Sequence, residues 1–589
     1  MDQPIIIHGG EARYLSELPE FQDGLPHGIV NKTKTDVGGT YVAVNCKSNY
    51  IIVCPFRDLV DSIVADTNNR YEVFKCYGGI REYEFRKYLR EHETYKIAVT
   101  YDSLPKLLRW LNNNTEGWKL LVDEYHIILE DMDFRSDAIS NMLHDVTKFK
   151  HYTFLSATPI DEDYEIDFFM NLPHYKVEWD GLQEINVTRY KTSRVVAGLT
   201  KVIDSFLRDG LRLTDINGEV SEVEQLFIFF NSVSSIQQIL STLGLDNSVV
   251  KVCCADRQRN RLILGKYEIE SVSSPNKRIN FFTKKGFQGC NLFTNNGLVI
   301  VASDGYKVNT LIDVSSTMEQ IAGRIRENEH SHNIFRHILV HIFSTNKNVS
   351  DEEFAIFMQE LEHDAVELLA SQNKFTESER KAWIKRMNLE KDLVSAIDNR
   401  LVYNEQKKKS FIFKHNLRKE YRNGITIKAQ FLKSEKLRPK NQELIDDFDI
   451  VMKQALTVSY EQLLKDYIDH PSDQYEQEYP EFRDFRLYLK QTEMNSLRWN
   501  KDKMLQAVSD KKKMQQAFRA IYHKGEFVSN EQLKKKLAEQ FKRLGIKLTP
   551  KATLILQCSI FKVEKCSERL DGKKVNGYRF GDTIFDYRL

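Results

Sequence analysis

From Tyr41 to about Pro173, short β-rich apolar runs alternate with helical stretches, and that alternation constrains the possible folds more than any other feature. The runs are residues 50–54, 95–100, 119–122 and 152–155. An apolar run without polar alternation reads as a strand buried on both faces. Strands separated by helices pair in parallel, because the crossover that returns the chain also covers the sheet. A second set begins near Gln225, with residues 226–230, 249–253, 278–282, 297–301 and 337–343. The expected class is α/β, with two tandem parallel-sheet lobes and a cleft between them, followed by a mostly helical region and a C-terminal winged helix.

At 589 residues the chain exceeds a single core, and several domains are expected. No apolar run approaches the ~20 residues that cross a bilayer, and Met1-Asp2-Gln3-Pro4 lacks the basic region of a secretion signal. These features predict a cytoplasmic protein with no membrane partner. The eight cysteines form no Cys-x-x-Cys pair, which argues against a zinc site or a disulfide framework and for buried, reduced thiols. The net charge of +1 hides a division along the chain: −12 over residues 1–400, +9 over 401–440, −7 over 441–500 and +11 over 501–589. The two basic blocks are either solvated faces or contacts for a phosphate backbone.

The expected boundaries are 1–178 and 179–346 for the two lobes, 347–440 for helices with a basic arm, 441–525 for a helical region and 526–589 for the winged helix. Residues 352–369 and 377–393 read as long charged helices, and helices resume at 443–466 before an acidic loop at 470–480. Within 407–440 the runs Phe411-Ile412-Phe413 and Ile425-Thr426-Ile427 suggest a β-hairpin or an arm. Near the C-terminus Ser529 and Gln532 form a capping box, and Thr549-Pro550 opens a second helix. The runs 560–563 and 575–580 flank Asp571-Gly572, a hairpin turn signal.

Chemistry gathers at the ends of the apolar runs. Asp123-Glu124-Tyr125-His126 closes one of them, Ser156-Ala157-Thr158 closes the next, and Gln320-Ile321-Ala322-Gly323-Arg324-Ile325-Arg326 comes far downstream. A phosphate-binding loop belongs between the first strand and first helix, where glycines and helix N–H groups can surround an anion. The segment there runs from Gly28 to Thr40. Against the usual Gly-x-x-x-x-Gly-Lys-Thr, Gly38 and Thr40 fall in place, but Gly39 stands where the lysine belongs. One reading is a dead nucleotide site; the other is that Lys32 or Lys34 folds back to supply the cation, while Thr40 keeps the hydroxyl that magnesium needs.

With these motifs the chain resembles a superfamily-2 helicase of the DExH kind, over about residues 25–345, with two RecA-like lobes. The spacing Gln-x-x-Gly-Arg-x-Arg is similar to the viral origin-binding branch, and the displaced lysine is similar to phage and mobile-element relatives. Weaker matches are residues 53–59, 100–104, 229–232 and 283–291. The resemblance implies ATP and Mg²⁺ as ligands. It gives catalytic roles to Asp123, Glu124, Gln320, Arg324 and Arg326, and nucleotide contacts to Lys32, Lys34, Thr35, Gly38, Gly39, Thr40, Gly289 and Asn291. Thr40 and Asp123 would hold the metal, Gln22 would read adenine, and His126, Ser156 and Thr158 would couple nucleotide state to lobe closure. For the last three, sheet-end hydrogen bonding is the plainer alternative.

Strand contacts expected from the same resemblance are Arg57, Thr100, Ser103, Ser232, Thr283, Lys284 and Lys285. The terminal basic module adds Lys534–Lys536, Lys547, Lys551, Lys573 and Lys574. The expected function is an ATP-dependent DNA helicase or translocase acting on single-stranded or forked DNA in replication or recombination of a phage or mobile element, alongside replication proteins. A DNA-binding scaffold without turnover and an RNA helicase remain as alternatives.

Overall fold

The computed structural model describes residues 3–287, 291–384, 387, 389, 391–445, 450–570 and 573–584. It divides into two bodies, Met1–Ala255 with Leu264–Leu456, and Asp256–Ile263 with Thr457–Leu589. The first body holds two parallel sheets. Eight strands form the first: β1 (Ile5–Gly10), β2 (Gly28–Asn31), β3 (Asn49–Cys54), β4 (Val73–Cys76), β5 (Lys96–Thr100), β6 (Trp118–Asp123), β7 (His151–Ser156) and β8 (His174–Trp179). Their spatial order is β1-β8-β2-β7-β6-β3-β5-β4. After β2 the chain crosses β7 and β6 to reach β3, so the C-terminal ends of β2, β7 and β6 open a crevice where a ligand can sit.

Strand β3 shows why the apolar runs are continuous. Tyr50, Ile52 and Cys54 enter one core and Ile51 and Val53 enter another, so both faces are covered. All five are fully buried, and each large aliphatic side chain so placed is worth about 1.5–3 kcal/mol.

The second sheet has seven parallel strands, ordered Val250–Cys253, Ile279–Phe282, Gln225–Phe229, Gly297–Ser303, Ile338–Phe343, Ile185–Lys191 and Leu437–Leu444. Here Leu226 and Ile228 pack into a core confined to this lobe, whereas Phe227 and Phe229 share the core that receives Ile51 and Val53. One apolar mass therefore continues from the first sheet into the second.

Strands of the two large sheets that no expected run marks include β1, β4, β8, Ile185–Lys191 and Leu437–Leu444. The last returns from beyond the second set of strands to pair in parallel with Ile185–Lys191. The hairpin expected within 407–440 does not form. Its two runs lie in the helices Glu405–Glu420 and Gly424–Phe431. Burial decides the matter: Gln406, Ser410, Phe413, Leu417 and Tyr421 are all buried, a helical spacing, and Asn404 caps the first turn by accepting from Lys407 N at 3.0 Å. The helix expected from Glu443 begins only at Tyr460, and the expected acidic loop contains the helix Asp473–Glu478.

In the second body the helix Lys501–Ile521 serves two cores. Met504 and Val508 join Leu463, Tyr467 and Phe485, while Met514, Phe518 and Ile521 join Leu533, Leu537 and Tyr578. The Ser529 capping box is present, its hydroxyl accepting from Gln532 N at 3.3 Å. Strands Phe561–Leu570 and Lys573–Thr583 pair antiparallel, with Phe527–Ser529 on the outer side of the second. These strands share one core with the helix Asn530–Leu544. The expected helix after Pro550, however, is a short 3₁₀ segment, Ala552–Gln557, and Asp571-Gly572 lie outside the described residues.

Candidate nucleotide site and strand-facing residues

The loop after β2 is shaped by its backbone. Thr33 and Asp36 take positive φ angles of 50° and 66°, and Gly38 caps the helix Gly39–Asn45 at φ 76°. Gly39 sits against Leu155 of β7, so a Cβ there would come 2.4 Å from Leu155 Cδ2. Leu155 is itself fully buried, so its displacement would disturb the surrounding core. At the position where a phosphate-binding lysine is ordinarily found, a side chain would therefore require Leu155 to shift. The two alternative lysines part company. Lys32 turns inward, 7% exposed, with Nζ 3.4 Å from Glu124 Oε1. Lys34 is exposed and lies with Nζ 5.7 Å from the centroid of Trp179.

The acid pair ends β6 in the crevice. Asp123 Oδ2 accepts from Thr40 Oγ1 at 2.9 Å, and Oδ1 accepts from Glu124 N at 3.0 Å. Burial raises the Asp123 carboxyl above its ordinary range, against the pull of Lys32. Burial also pushes Glu124 upward, but the charges of Lys32, His126 and Arg324 outweigh it and hold the carboxyl below its ordinary range. Glu124 has φ 49°, a conformation costing roughly 1–3 kcal/mol outside glycine and one that clusters at functional sites. Its Oε2 is buried and accepts no hydrogen bond among the described residues; His126 Nδ1 is 3.4 Å away.

From this pair a polar chain runs into the second lobe. His126 Nδ1 and Ser156 Oγ are 2.8 Å apart, and Ser156 Oγ accepts from Thr158 N at 3.0 Å. Thr158 Oγ1 then accepts from Gln320 Nε2 at 3.1 Å. Gln320 Oε1 accepts from Arg324 Nη2 at 2.9 Å, and the Gln320 carbonyl accepts from Arg324 Nε at 2.8 Å. Arg326 reaches the loop itself, donating to Thr35 Oγ1 at 3.2 Å and lying 3.7 Å from Asp36 Oδ2. Its Nε points to Asn291 Oδ1 at 3.4 Å. A Cβ on Gly323 would stand 2.5 Å from Thr35 Oγ1, so this close approach needs glycine. Gly289 lies outside the described residues.

The expected strand contacts divide. Arg57 is exposed, its guanidinium 5.5 Å from the Tyr77 ring. Thr100 and Ser103 bond to each other at 3.0 Å, Ser232 caps the helix Val233–Leu243, and Thr283 Oγ1 bonds the Cys253 carbonyl at 3.4 Å. Lys284 does not face outward. Its ammonium is 2.7 Å from Asp131 and 3.2 Å from Glu130, both on the helix Ile127–Val146 of the first lobe, and those carboxylates overcome its burial to raise its pKa. Lys285 pairs with Asp58 at 3.1 Å. In the second body Lys534, Lys535, Lys547, Lys551, Lys573 and Lys574 are exposed, while Lys536 pairs with Glu526 at 2.9 Å.

Gln22 is exposed, and the carbonyl of the next residue, Asp23, accepts from Lys119 Nζ at 3.0 Å at the start of β6, whose other end carries Asp123. An exposed aromatic residue beside the loop is Tyr14, 37% exposed, with Cδ1 3.9 Å from where a Gly38 Cβ would stand. Leu15 N anchors it by donating to the Val37 carbonyl at 2.8 Å. An exposed aromatic upstream of a glycine loop was the available sequence signal.

Among the described residues no cluster of three or more ligating side chains could hold a metal, and no helix is long and apolar enough to cross a membrane. A two-ligand site such as Thr40 with Asp123 suits magnesium, which keeps water and phosphate oxygens as its other ligands.

No protein-family model matches the chain, and no curated protein matches it in sequence. Solved structures to which it is similar include Mss116p bound to ssRNA and AMP-PNP, at 12% identity over 74% of this chain and 100% of that one, TM-score 0.36. Mycobacterium smegmatis helicase Lhr bound to ssDNA and AMP-PNP is 12% identical over 54% of this chain and 44% of that one, TM-score 0.34. E. coli DExH-box NTPase HrpB is 14% identical over 58% and 41%, TM-score 0.35. Similarity at this level concerns the fold alone. The two sheets, of eight and seven parallel strands, stand on their own geometry.

Proposed function

We propose that this chain is an ATP- and magnesium-dependent DNA translocase or helicase. The observation that carries the reading is the facing of two groups: the Lys32–Glu124 pair on the first lobe and Arg324 with Arg326 on the second, joined through Thr158 and Gln320. Glu124, its carboxyl held below the ordinary range by Lys32, His126 and Arg324 in a buried site, with an Oε2 that accepts no hydrogen bond among the described residues, is suited to orient and deprotonate an attacking water. Lys32 takes the place of the missing loop lysine. Arg324 and Arg326 would stabilise charge building on the γ-phosphate, and Asn291 would orient Arg326. Thr40 and Asp123 would hold Mg²⁺, which supplies charge neutralisation on the phosphates. Lys34 and Thr35 flank the phosphate path, and Tyr14 offers a face on which a base can stack.

His126, Ser156 and Thr158 would carry nucleotide state into lobe closure, because they form the polar path that leads from the acid pair to Gln320. Arg57, Thr100, Ser103, Ser232 and Lys285 are proposed to border the strand. The basic winged-helix-like module, with Lys573 and Lys574 on its hairpin, favours duplex or forked DNA as the partner. The displaced lysine and the arginine spacing support a place in replication or recombination of a phage or mobile element, with replication proteins as partners. A scaffold that binds DNA without turnover is the second reading, favoured by Gly39.

Phosphate release measured with single-stranded, forked and duplex DNA and with RNA, for the wild type and Glu124→Gln, tests this. The expected result is DNA-stimulated release abolished in the variant. Binding without release in the wild type would establish the scaffold, and stimulation by RNA alone would move the substrate to RNA.

A further inference from the structure

A cation from outside both sets of motifs enters the cleft. The segment between the helix Gly424–Phe431 and the strand Leu437–Leu444 turns at Ser434, whose hydroxyl accepts from Lys436 N at 3.1 Å and Leu437 N at 2.9 Å. That hydroxyl donates to Glu319 Oε1, on the same helix that carries Gln320. The turn so fixed aims Lys436 at the phosphate loop. Its ammonium bonds the Thr33 carbonyl and stands 3.3 Å from Glu319 Oε2. The ion pair is nearly buried, with side-chain exposures of 14% and 10%. On either side Glu435 pairs with Lys176 of β8 at 3.0 Å and Arg438 with Glu184 at 2.9 Å.

We infer that Lys436 is a positioning residue that holds the Thr33 carbonyl of the phosphate loop against Glu319, tying the loop's shape to the helix Thr317–Ala322, which presents Gln320 and ends just before Arg324. The inference rests on the proposed ATPase reading, since it is the hydrolytic alignment that the tie serves. Thr33 is the residue between Lys32 and Lys34, and its positive φ aims the first inward and the second outward. A charged donor on its carbonyl therefore acts on Lys32, the lysine that faces Glu124. Glu319 orients the same ammonium from the second lobe, so a movement of the Gln320 helix is felt at the loop. Lys436 contacts neither Asp123 nor Glu124 and does no chemistry of its own.

The test uses the full chain with Lys436→Ala and Lys436→Arg. Alanine is expected to lower kcat about ten- to a hundredfold while the dissociation constant for a non-hydrolysable ATP analogue changes less than about threefold, and arginine to recover most of the loss. Amide hydrogen exchange without nucleotide gives a reading independent of turnover: residues 32–40 and 316–323 should exchange faster together in the alanine variant and return toward wild type in the arginine variant. If the wild type hydrolyses nothing, the ATPase reading fails and the exchange result still decides the tie. An active wild type with an alanine variant of unchanged kcat and unchanged exchange would overturn this inference alone, as would equal losses in the alanine and arginine variants.

Discussion

Lys32 brings its ammonium to 3.4 Å from Glu124 Oε1 from one end of the loop, while Gly39 at the other end packs against Leu155; the proposed site gives Lys32 the charge that a phosphate loop ordinarily carries at the position of Gly39. Lys32→Ala should therefore lower ATP hydrolysis about a hundred- to a thousandfold, the usual effect of removing one preorganised charge-stabilising donor. Lys34→Ala should stay within about threefold, because that side chain is exposed against Trp179. Adding Lys at position 39 to the Lys32→Ala variant should fail to rescue and should lower Tm as well. Steady-state phosphate release and a melting curve check all three, and equal losses for the two lysines would sink the assignment.

The Gln320 amide joins Thr158 to Arg324, so its removal should separate binding from coupling. Gln320→Ala is expected to keep nucleotide affinity within a few-fold while DNA stimulation of hydrolysis largely disappears. Arg324→Ala should cost more, about a thousandfold or greater in kcat, if it acts on the γ-phosphate as proposed. Nucleotide titration by fluorescence beside DNA-dependent kinetics distinguishes the two. A Gln320→Ala enzyme still fully stimulated by DNA would show that the polar chain carries nothing.

Lys284 and Lys573 test opposite ideas about basic residues. Lys284 is locked to Asp131 and Glu130 across the two lobes, and Lys284→Ala leaves Asp131 with Arg135 and Glu130 with the Thr317 hydroxyl, so it should destabilise the first body by about 1–3 kcal/mol. Its effect on the salt dependence of DNA binding should be small. Lys573→Ala with Lys574→Ala removes exposed charge, leaving Tm in place and reducing the slope of log affinity against log salt by about 0.7–0.9 for each phosphate no longer neutralised. Fluorescence anisotropy at several salt concentrations, with calorimetry, reads both. A large slope change for Lys284→Ala would return that residue to the strand-binding surface.

The contrast between these lysines shows what the sequence can carry. Strand β3 is legible because both faces are buried, so its run is apolar throughout and needs no partner to be recognised. The strand Leu437–Leu444 is not, because it is an edge strand holding Pro439 and mostly exposed polar residues, with Leu444 77% exposed. Phe411-Ile412-Phe413 misleads because local β preference is overridden by burial of Phe413, Leu417 and Tyr421 on one helical stripe. The acid pair and the arginines could be read as motifs, since each ends an apolar run or sits at fixed spacing. Which of Lys32 and Lys34 turns inward depends on the positive φ of Thr33, and the partner of Lys284 depends on a helix far away in sequence; neither leaves a local trace.

Glu420 supplies a pH dependence unrelated to catalysis. It ends the helix Glu405–Glu420 with Oε2 buried and unpartnered among the described residues, and burial, with Asp313 nearby, pushes its carboxyl up to about 8 from an ordinary 4.5. A carboxyl whose folded pKa is raised stays protonated in the native state after the unfolded chain has released its proton. Its contribution is harmless below pH 4.5 and becomes a growing penalty as pH rises toward 8, by at most about 1.4 kcal/mol per pH unit. Glu420→Gln keeps the shape without the charge, so it should leave stability unchanged near pH 4.5 and raise it progressively up to about pH 8. Denaturant unfolding of wild type and variant across that range checks the sign. A gain that is flat with pH would mean the glutamine improves packing or hydrogen bonding, and that Glu420 is not held protonated by its surroundings.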